Sequence, residues 1–315
     1  MSFETLWQTY RQRGYPAVCS MELISALDHF YLALLAFGQN DLPQALQSAQ
    51  SAVAQQPNSP VLQHSVTYLN RVASQGKTGV YISGDAFSAF IRGGGNVQLY
   101  QAINDALRRI YQEYETLTIF DIGVGDGLAL LPALTSNITR LDILEPSEAM
   151  LTHTAAELKH WNINFHAYQN TIQQFIQSGT ETWDVIQATW SLQSIHPDER
   201  PAIFEWAHQH GKRLLVAEFD VPNYTELYEP ARVEFILTRY EKGLAEYDDD
   251  GGLVAQGFLM PVMFGYFDQS ASRTNYEGPI ESWVNTIQAA GFRDIRVEPL
   301  YAYWWANSLL IDARI

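Results

Sequence analysis

Thr116-Leu-Thr-Ile-Phe-Asp-Ile-Gly-Val-Gly-Asp-Gly-Leu-Ala-Leu-Leu-Pro-Ala-Leu134, followed by Leu141-Asp-Ile-Leu-Glu-Pro-Ser-Glu-Ala-Met-Leu151, is the stretch on which the fold turns. Its first part predicts a short apolar strand over 117–122. A turn carrying Gly123, Gly125 and Gly127 follows, then an apolar helix from Leu128. A second strand over 141–144 ends on the acid Glu145. Strand, glycine turn, helix, strand and acid together describe a nucleoside-binding βαβ unit. Glycines let the backbone turn sharply and approach a ligand with no Cβ in the way. Glu145 closes the second strand, where a carboxylate can accept hydrogen bonds from both ribose hydroxyls.

The spacing selects the kind of nucleoside. A dinucleotide site needs G-x-G-x-x-G, so that a pyrophosphate rests on a helix N-terminus. Here the pattern is G-x-G-x-G, and Asp126 puts negative charge where a phosphate would lie. Both features favour a ligand without phosphate over NAD or FAD. The segment Asp121-Ile-Gly-Val-Gly-Asp-Gly resembles motif I of class I S-adenosylmethionine-dependent methyltransferases, and Leu144-Glu-Pro-Ser-Glu-Ala-Met-Leu resembles that family's second motif. The resemblance implies an α/β fold: a seven-stranded, mostly parallel Rossmann-like methyltransferase sheet with helices on both faces. It implies S-adenosylmethionine as cofactor and S-adenosylhomocysteine as product. Asp121, Gly123 and Gly125 would form the cofactor turn and Glu145 would hold the ribose.

Bulk properties narrow the partners. In 315 residues, 19 basic and 35 acidic side chains give a net charge of −16, which disfavours a phosphate backbone as substrate. The single Cys19 fits a reducing compartment. No apolar run approaches the ~18 residues of a membrane span, and the N-terminus lacks a signal pattern. A cytoplasmic protein with no membrane and no nucleic-acid partner is expected. The eight histidines show no ligand spacing, so no metal is expected. Aromatic residues make up 13% of the chain and can wall an apolar or aromatic pocket as well as fill a core.

Residues 1–75 read as helical. Leu23, Leu27, Phe30, Leu34 and Phe37 follow helical spacing before a break at Gly38. Asp41, Leu42, Ala45, Leu46, Ala52, Val53 and Pro57 then resemble the second helix of a tetratricopeptide repeat. Only about one repeat is recognisable, and solenoids need roughly three. A helical hairpin packed on its own catalytic domain, or on a second subunit in a homodimer, is the expectation. A peptide-binding groove is the alternative.

Residues 76–115 form a connector with a permissive loop at Gly93, Gly94 and Gly95 and a helix over 97–114. In class I methyltransferases the segment before motif I often folds over the cofactor. By that resemblance Tyr81, Arg92 and Tyr100 are cofactor-binding candidates, with Arg92 placed to pair with the methionine carboxylate; a plain hinge with a surface arginine is the other reading. Domain 116–315 follows. It has a helix over 149–159 and a third strand over 163–168, then Asn170 as the polar contact to the adenine amino group. Trp183-Asp-Val-Ile-Gln-Ala-Thr-Trp resembles the fourth motif, placing Gln187, Ala188, Thr189 and Trp190 at the site. A fifth strand runs over 212–220. An insertion over 222–280, with a helix over 224–243, is placed to form a substrate lid. A helix over 280–290 and strands over 293–299 and 301–313 resemble the antiparallel pair that closes the class I sheet.

The cofactor's sulfonium makes its methyl group an electrophile, so positioning is the protein's main task. Candidate bases near the strand ends are His196, Glu218 and Asp220, with Trp190, Tyr224 and Tyr228 toward the substrate. His196 before Pro197 also suits a cap, and Glu218 and Asp220 could cap a helix or face solvent. Three functions stand on sequence. The first is methyl transfer to a small-molecule acceptor of specialised metabolism, aromatic or indolic by the aromatic content, on N, O or C. The second is a protein or peptide methyltransferase recruiting its target through the N-terminal helices. The third is a non-catalytic scaffold that keeps the fold.

Overall fold

The computed structural model describes residues 3–77, 84–161, 163–247 and 251–315. The chain begins with helices α1 (Phe3–Arg13), α2 (Tyr15–Cys19), α3 (Ala26–Gly38), α4 (Leu42–Gln55), α5 (Pro60–Gln75) and α6 (Gly84–Arg92). Their starts are written locally. Ser25 and Asp28 form a reciprocal capping box on α3, Asp41 caps α4, and Ser59 caps α5 with Pro60 at its first position. Ala45, Ala49 and Ala52 are fully buried along α4, small residues that let it sit close to α3 and α5. The connector thus holds a helix, α6, ahead of its glycine loop, where the sequence reading assigned no element.

Helix α7 (Asn96–Tyr111) leads into β1 (Leu117–Ile122), β2 (Ile138–Leu144), α8 (Glu148–Leu158), β3 (Phe165–Tyr168) and α9 (Ile172–Phe175). Then come β4 (Trp183–Thr189), α10 (Arg200–His210) and β5 (Gly211–Phe219), followed by α11 (Pro230–Ala245) and α12 (Met260–Gly265), the latter entered through a π-turn at Ala255–Leu259. Helix α13 (Ile280–Ala289), β6 (Asp294–Ala302) and β7 (Asn307–Arg314) complete the chain.

Two compact units emerge: 1–97 with 224–272, and 98–223 with 273–315. Within the first, α11 and α12 share a core with the N-terminal helices. Phe264 of α12 stacks on Tyr68 at 4.8 Å and meets Phe37 at 4.9 Å. The Tyr31 hydroxyl donates to the Tyr228 carbonyl at 2.6 Å. Phe264 and Tyr228 of the 222–280 insertion therefore belong to a helical core with α3 and α5.

The second unit carries a seven-stranded sheet among the described residues, in the order β3-β2-β1-β4-β5-β7-β6, parallel except for β7. Alternation along the strands sorts the two faces. Phe120, Ile122, Ile186, Leu214 and Val216 face α9, α10 and α13, whereas Leu117, Ile119, Val185, Leu215 and Ala217 face α7 and α8. Burial on both faces explains why these strands read as continuous apolar runs. From β1 the chain moves outward to β2 and β3, then returns to β4 on the other side. That reversal opens the crevice where open α/β sheets bind ligands.

Two sequence expectations change. No α-helix starts at Leu128: the N–H groups of Leu130 and Leu131 both bond to the Gly127 carbonyl, and only a 3₁₀ turn at Leu131–Ala133 follows. Pro132 has no N–H to donate, and the chain must already turn into β2 at Ile138. The final strand starts at Asn307 rather than 301, because β6 runs on to Ala302 and Tyr303, Trp304, Trp305 and Ala306 form the turn.

Candidate functional site at the carboxyl ends of the strands

The glycine turn leaves β1 with Gly123 at φ +73° and Gly125 at φ +58°. Gly123 is held against β2, since its N–H donates to the Leu144 carbonyl at 2.8 Å. A Cβ there would lie 2.5 Å from the Cβ of Ser191, whose hydroxyl donates to the Ile122 carbonyl at 2.6 Å. Only glycine fits between β1 and the loop after β4. At Gly125 a Cβ would meet nothing within 4 Å, so the left-handed backbone, not crowding, calls for glycine, and the turn presents an open face there.

Glu145 follows the last residue of β2 and is buried. Its two carboxylate oxygens accept from the N–H groups of Gly125 at 3.1 Å and Ser147 at 2.9 Å. Each oxygen keeps a second acceptor site, which suits a pair of vicinal hydroxyls. Asn170, half-buried beyond β3, accepts from the Thr171 N–H at 3.2 Å through its side-chain oxygen.

Asp121 lies on the α7 face of β1, 3% exposed. Gln187 of β4 donates to its Oδ2 at 2.8 Å, and the Tyr111 hydroxyl donates to the Gln187 oxygen at 2.5 Å. Gln187 thus reaches the acid rather than the surface. Burial raises the Asp121 carboxyl to about 7, against the Gln187 hydrogen bond and with Glu145 adding to the rise. Burial likewise pushes the Tyr111 phenol up.

Beyond β4, Trp190 holds φ +48°, a rare conformation for a bulky side chain. Its N–H donates to the Ala217 carbonyl at 2.9 Å and its indole N–H to the Ser308 hydroxyl at 3.1 Å. The ring stacks on Phe219 at 5.8 Å and meets Tyr100 edge-on at 5.4 Å. Glu218, near the end of β5, is 1% exposed. Burial drives its carboxyl up to about 8, opposed by the charge of Arg200 and by backbone N–H groups, with Glu277 raising it further. The Gln193 N–H donates to it at 3.1 Å. Burial also lowers Arg200 to about 10, and its guanidinium lies 3.8 Å from the Trp283 ring centre.

The other candidates make contacts of their own. His196 is exposed and caps the short turn Pro197–Glu199, its Nδ1 accepting from the Asp198 N–H at 3.3 Å. Asp220 is exposed and accepts from the Ile280 N–H at 2.9 Å, at the start of α13. In the first unit, Arg92 ends α6 and donates to Ser88 at 3.0 Å. Tyr224 packs 6.0 Å from Phe235. Tyr228 is buried in that unit's core, its hydroxyl donating to the Phe267 carbonyl at 3.0 Å. Tyr81 lies outside the described residues. Sequence reasoning missed Tyr111, Ser191 and Phe219. Tyr111 carried a signal: it falls four residues after Leu107 on the buried stripe of α7, and a buried phenol needs a partner.

No protein-family model matches the chain, and no curated protein matches its sequence. The fold does match solved structures. A possible exported protein from Bordetella parapertussis is 12% identical, with 88% of this chain and 96% of that chain covered at a TM-score of 0.52. Magnesium protoporphyrin IX methyltransferase from Synechocystis, with bound SAH, is 15% identical over 73% of this chain and 93% of that one, at a TM-score of 0.47. The mitomycin 7-O-methyltransferase is 15% identical over 96% and 76%, at 0.46. Strand order, the antiparallel β7 and the glycine turn after β1 are those of the fold expected from the sequence, a seven-stranded, mostly parallel Rossmann-like sheet with helices around it. Among the described residues no helix is long and apolar enough to cross a membrane, and no three His, Cys, Asp or Glu side chains converge to hold a metal ion.

Proposed function

We propose that the second unit binds S-adenosylmethionine at the carboxyl ends of β1, β2 and β4 and passes its methyl group to a small-molecule acceptor. Glu145 carries the reading: a buried carboxylate at the tip of β2, pinned to the glycine turn and left with two free acceptor directions. The missing helix after the turn supports it, because without a helix N-terminus there is no ready pyrophosphate site. Asn170 stands at the adenine edge and Asp121 at the amino-acid end.

When bound, the cofactor supplies a methyl carbon that an acceptor lone pair attacks as the carbon–sulfur bond breaks toward sulfur. The chain's own residues orient the partners and exclude water. Trp190, braced by Phe219 and Tyr100, offers an aromatic face for a planar acceptor or for the sulfonium. Glu218 is the acid best suited to take a proton from the acceptor, being buried and raised toward neutrality. His196 and Asp220 are engaged as caps and are weaker candidates. An aromatic natural-product acceptor fits this surface better than a nucleic acid, given the net charge of −16.

The test is calorimetric titration with S-adenosylmethionine and S-adenosylhomocysteine. Binding that weakens about tenfold or more in Glu145→Ala is expected, equivalent to roughly 1.4 kcal/mol of hydrogen bonding to a charged group. Failure of both ligands to bind would overturn the reading.

A further inference from the structure

We propose that Asp121 is a proton-carrying counter-group for the cofactor's amino-acid end: it holds a proton in the free protein and releases it to solvent when the ligand's ammonium arrives, with Tyr111 acting through Gln187 as the positioning residue. The inference rests on the reading of the site above and deepens it.

The geometry is specific. Asp121 sits two residues before Gly123, on the sheet face against which Tyr100 and Trp190 pack. Its Oδ2 is satisfied by Gln187, and among the described residues no donor reaches Oδ1 and no Lys, Arg or His side chain pairs with it. A carboxylate buried without a cation is costly, so a buried acid keeps its proton until a cation is supplied. The titratable groups bearing on it are Glu145 from β2, which opposes a second negative charge, and Tyr111 from α7, itself held neutral by burial. Among the described residues nothing facing it supplies positive charge, whereas a ligand ammonium at the glycine turn would.

Tyr111 has a definite task in this arrangement. By donating to the Gln187 oxygen it forces the amide to present N–H to Asp121. An amide turned the other way would offer its oxygen and favour the protonated acid. The bond from Tyr111 therefore favours release of the proton. The step balances simply: the carboxyl O–H breaks, the proton leaves to buffer, and the ligand's ammonium stays charged beside the new carboxylate.

Titration with S-adenosylhomocysteine at pH 6 in two buffers of different ionisation enthalpy measures the protons released. This ligand keeps the ammonium and lacks the sulfonium. The expected result is close to one proton released at pH 6, fading by pH 8.5, with affinity about tenfold weaker at pH 6 than at pH 8. S-adenosylmethionine should release the same number. Asp121→Asn should abolish the release, and Tyr111→Phe should move its midpoint to higher pH and weaken S-adenosylhomocysteine binding at pH 7. Melting curves of both variants check that the fold is intact. Binding without proton release between pH 5.5 and 8, or release with S-adenosylmethionine alone, would overturn this inference and leave the cofactor site standing. No binding of either ligand would overturn the site and the inference together.

Discussion

The two ends of the same sheet treat acidic side chains in opposite ways. At and near the end where the parallel strands begin, four acids, Glu113, Asp142 in mid-strand, Asp184 and Asp312, each meet a cation. Arg213 is bonded to Asp312 at 2.7 Å and to Glu113 at 2.7 Å. Asp142 accepts from the Trp183 indole and from His166, each at 2.8 Å, and pairs with Arg140 at 2.6 Å. Burial opposes ionisation of Asp184, but Lys212 and Thr118 more than offset it and hold its carboxyl below the ordinary value. At the edge where the strands finish, Asp121 and Glu218 are as deeply buried, and burial wins, leaving both carboxyls raised. Paired acids lock the sheet's floor. Asp121, left without a cation among the described residues and two positions before the open glycine turn, marks the end prepared for a ligand.

Arg213→Met should produce the largest effect. It removes a 4% exposed guanidinium from between Asp312 and Glu113, which keep only Arg314, and should cost about 2 kcal/mol of unfolding free energy by urea titration. Cofactor affinity at the opposite end should not change, and a parallel loss of affinity would break the contrast. A smaller effect concerns pH. A carboxyl whose folded pKa lies above its unfolded value stabilises fully below the unfolded pKa and loses that contribution as pH rises through the folded one. For Asp121 the window runs from 3.8 to about 7 and for Glu218 from 4.5 to about 8, so the melting temperature should fall between pH 5 and pH 8. Glu218→Gln should flatten that slope and melt about 2–4 °C higher than the native protein at pH 8, a gain near 1 kcal/mol. A variant that melts lower at every pH would show that Glu218 is a structural acceptor instead. The smallest change belongs to Lys212→Ala, whose side chain is 74% exposed. Its loss should cost no more than about 0.5 kcal/mol in the same urea titration, confirming that the floor is held by Arg213 and Asp142 rather than by its rim.

Much of this was legible before the fold was seen. Strand β1 falls over 117–122 as read, because six apolar-rich residues bounded by a glycine turn leave little choice. Helix α13 was equally plain, ending within a residue of its expected place over 280–290. Glu145 was readable because its place depends only on the strand it ends. The predicted helix after Leu128 failed because apolar spacing cannot sense how soon the chain must enter the next strand. The insertion over 222–280 showed its helix but not its partners, since Phe264 and Tyr228 find Tyr68 and Tyr31 across long stretches of chain. The same packing bears on any truncation of 1–75, which would expose that aromatic core.

What the sequence by itself determined is what local chemistry determines: the alternation that buries strands, the caps that start α3, α4 and α5, the glycine turn, and the acid at the tip of β2. Only the tertiary structure decided which acids are paired and which are not. Gln187 and Asp121 are registered partners on neighbouring strands, Tyr111 approaches from a helix, and Ser191 closes on Gly123 from the far side of the crevice. Such contacts depend on strand order and register, and in a sheet where β4 lies beside β1 rather than β3 those are properties of the assembled chain.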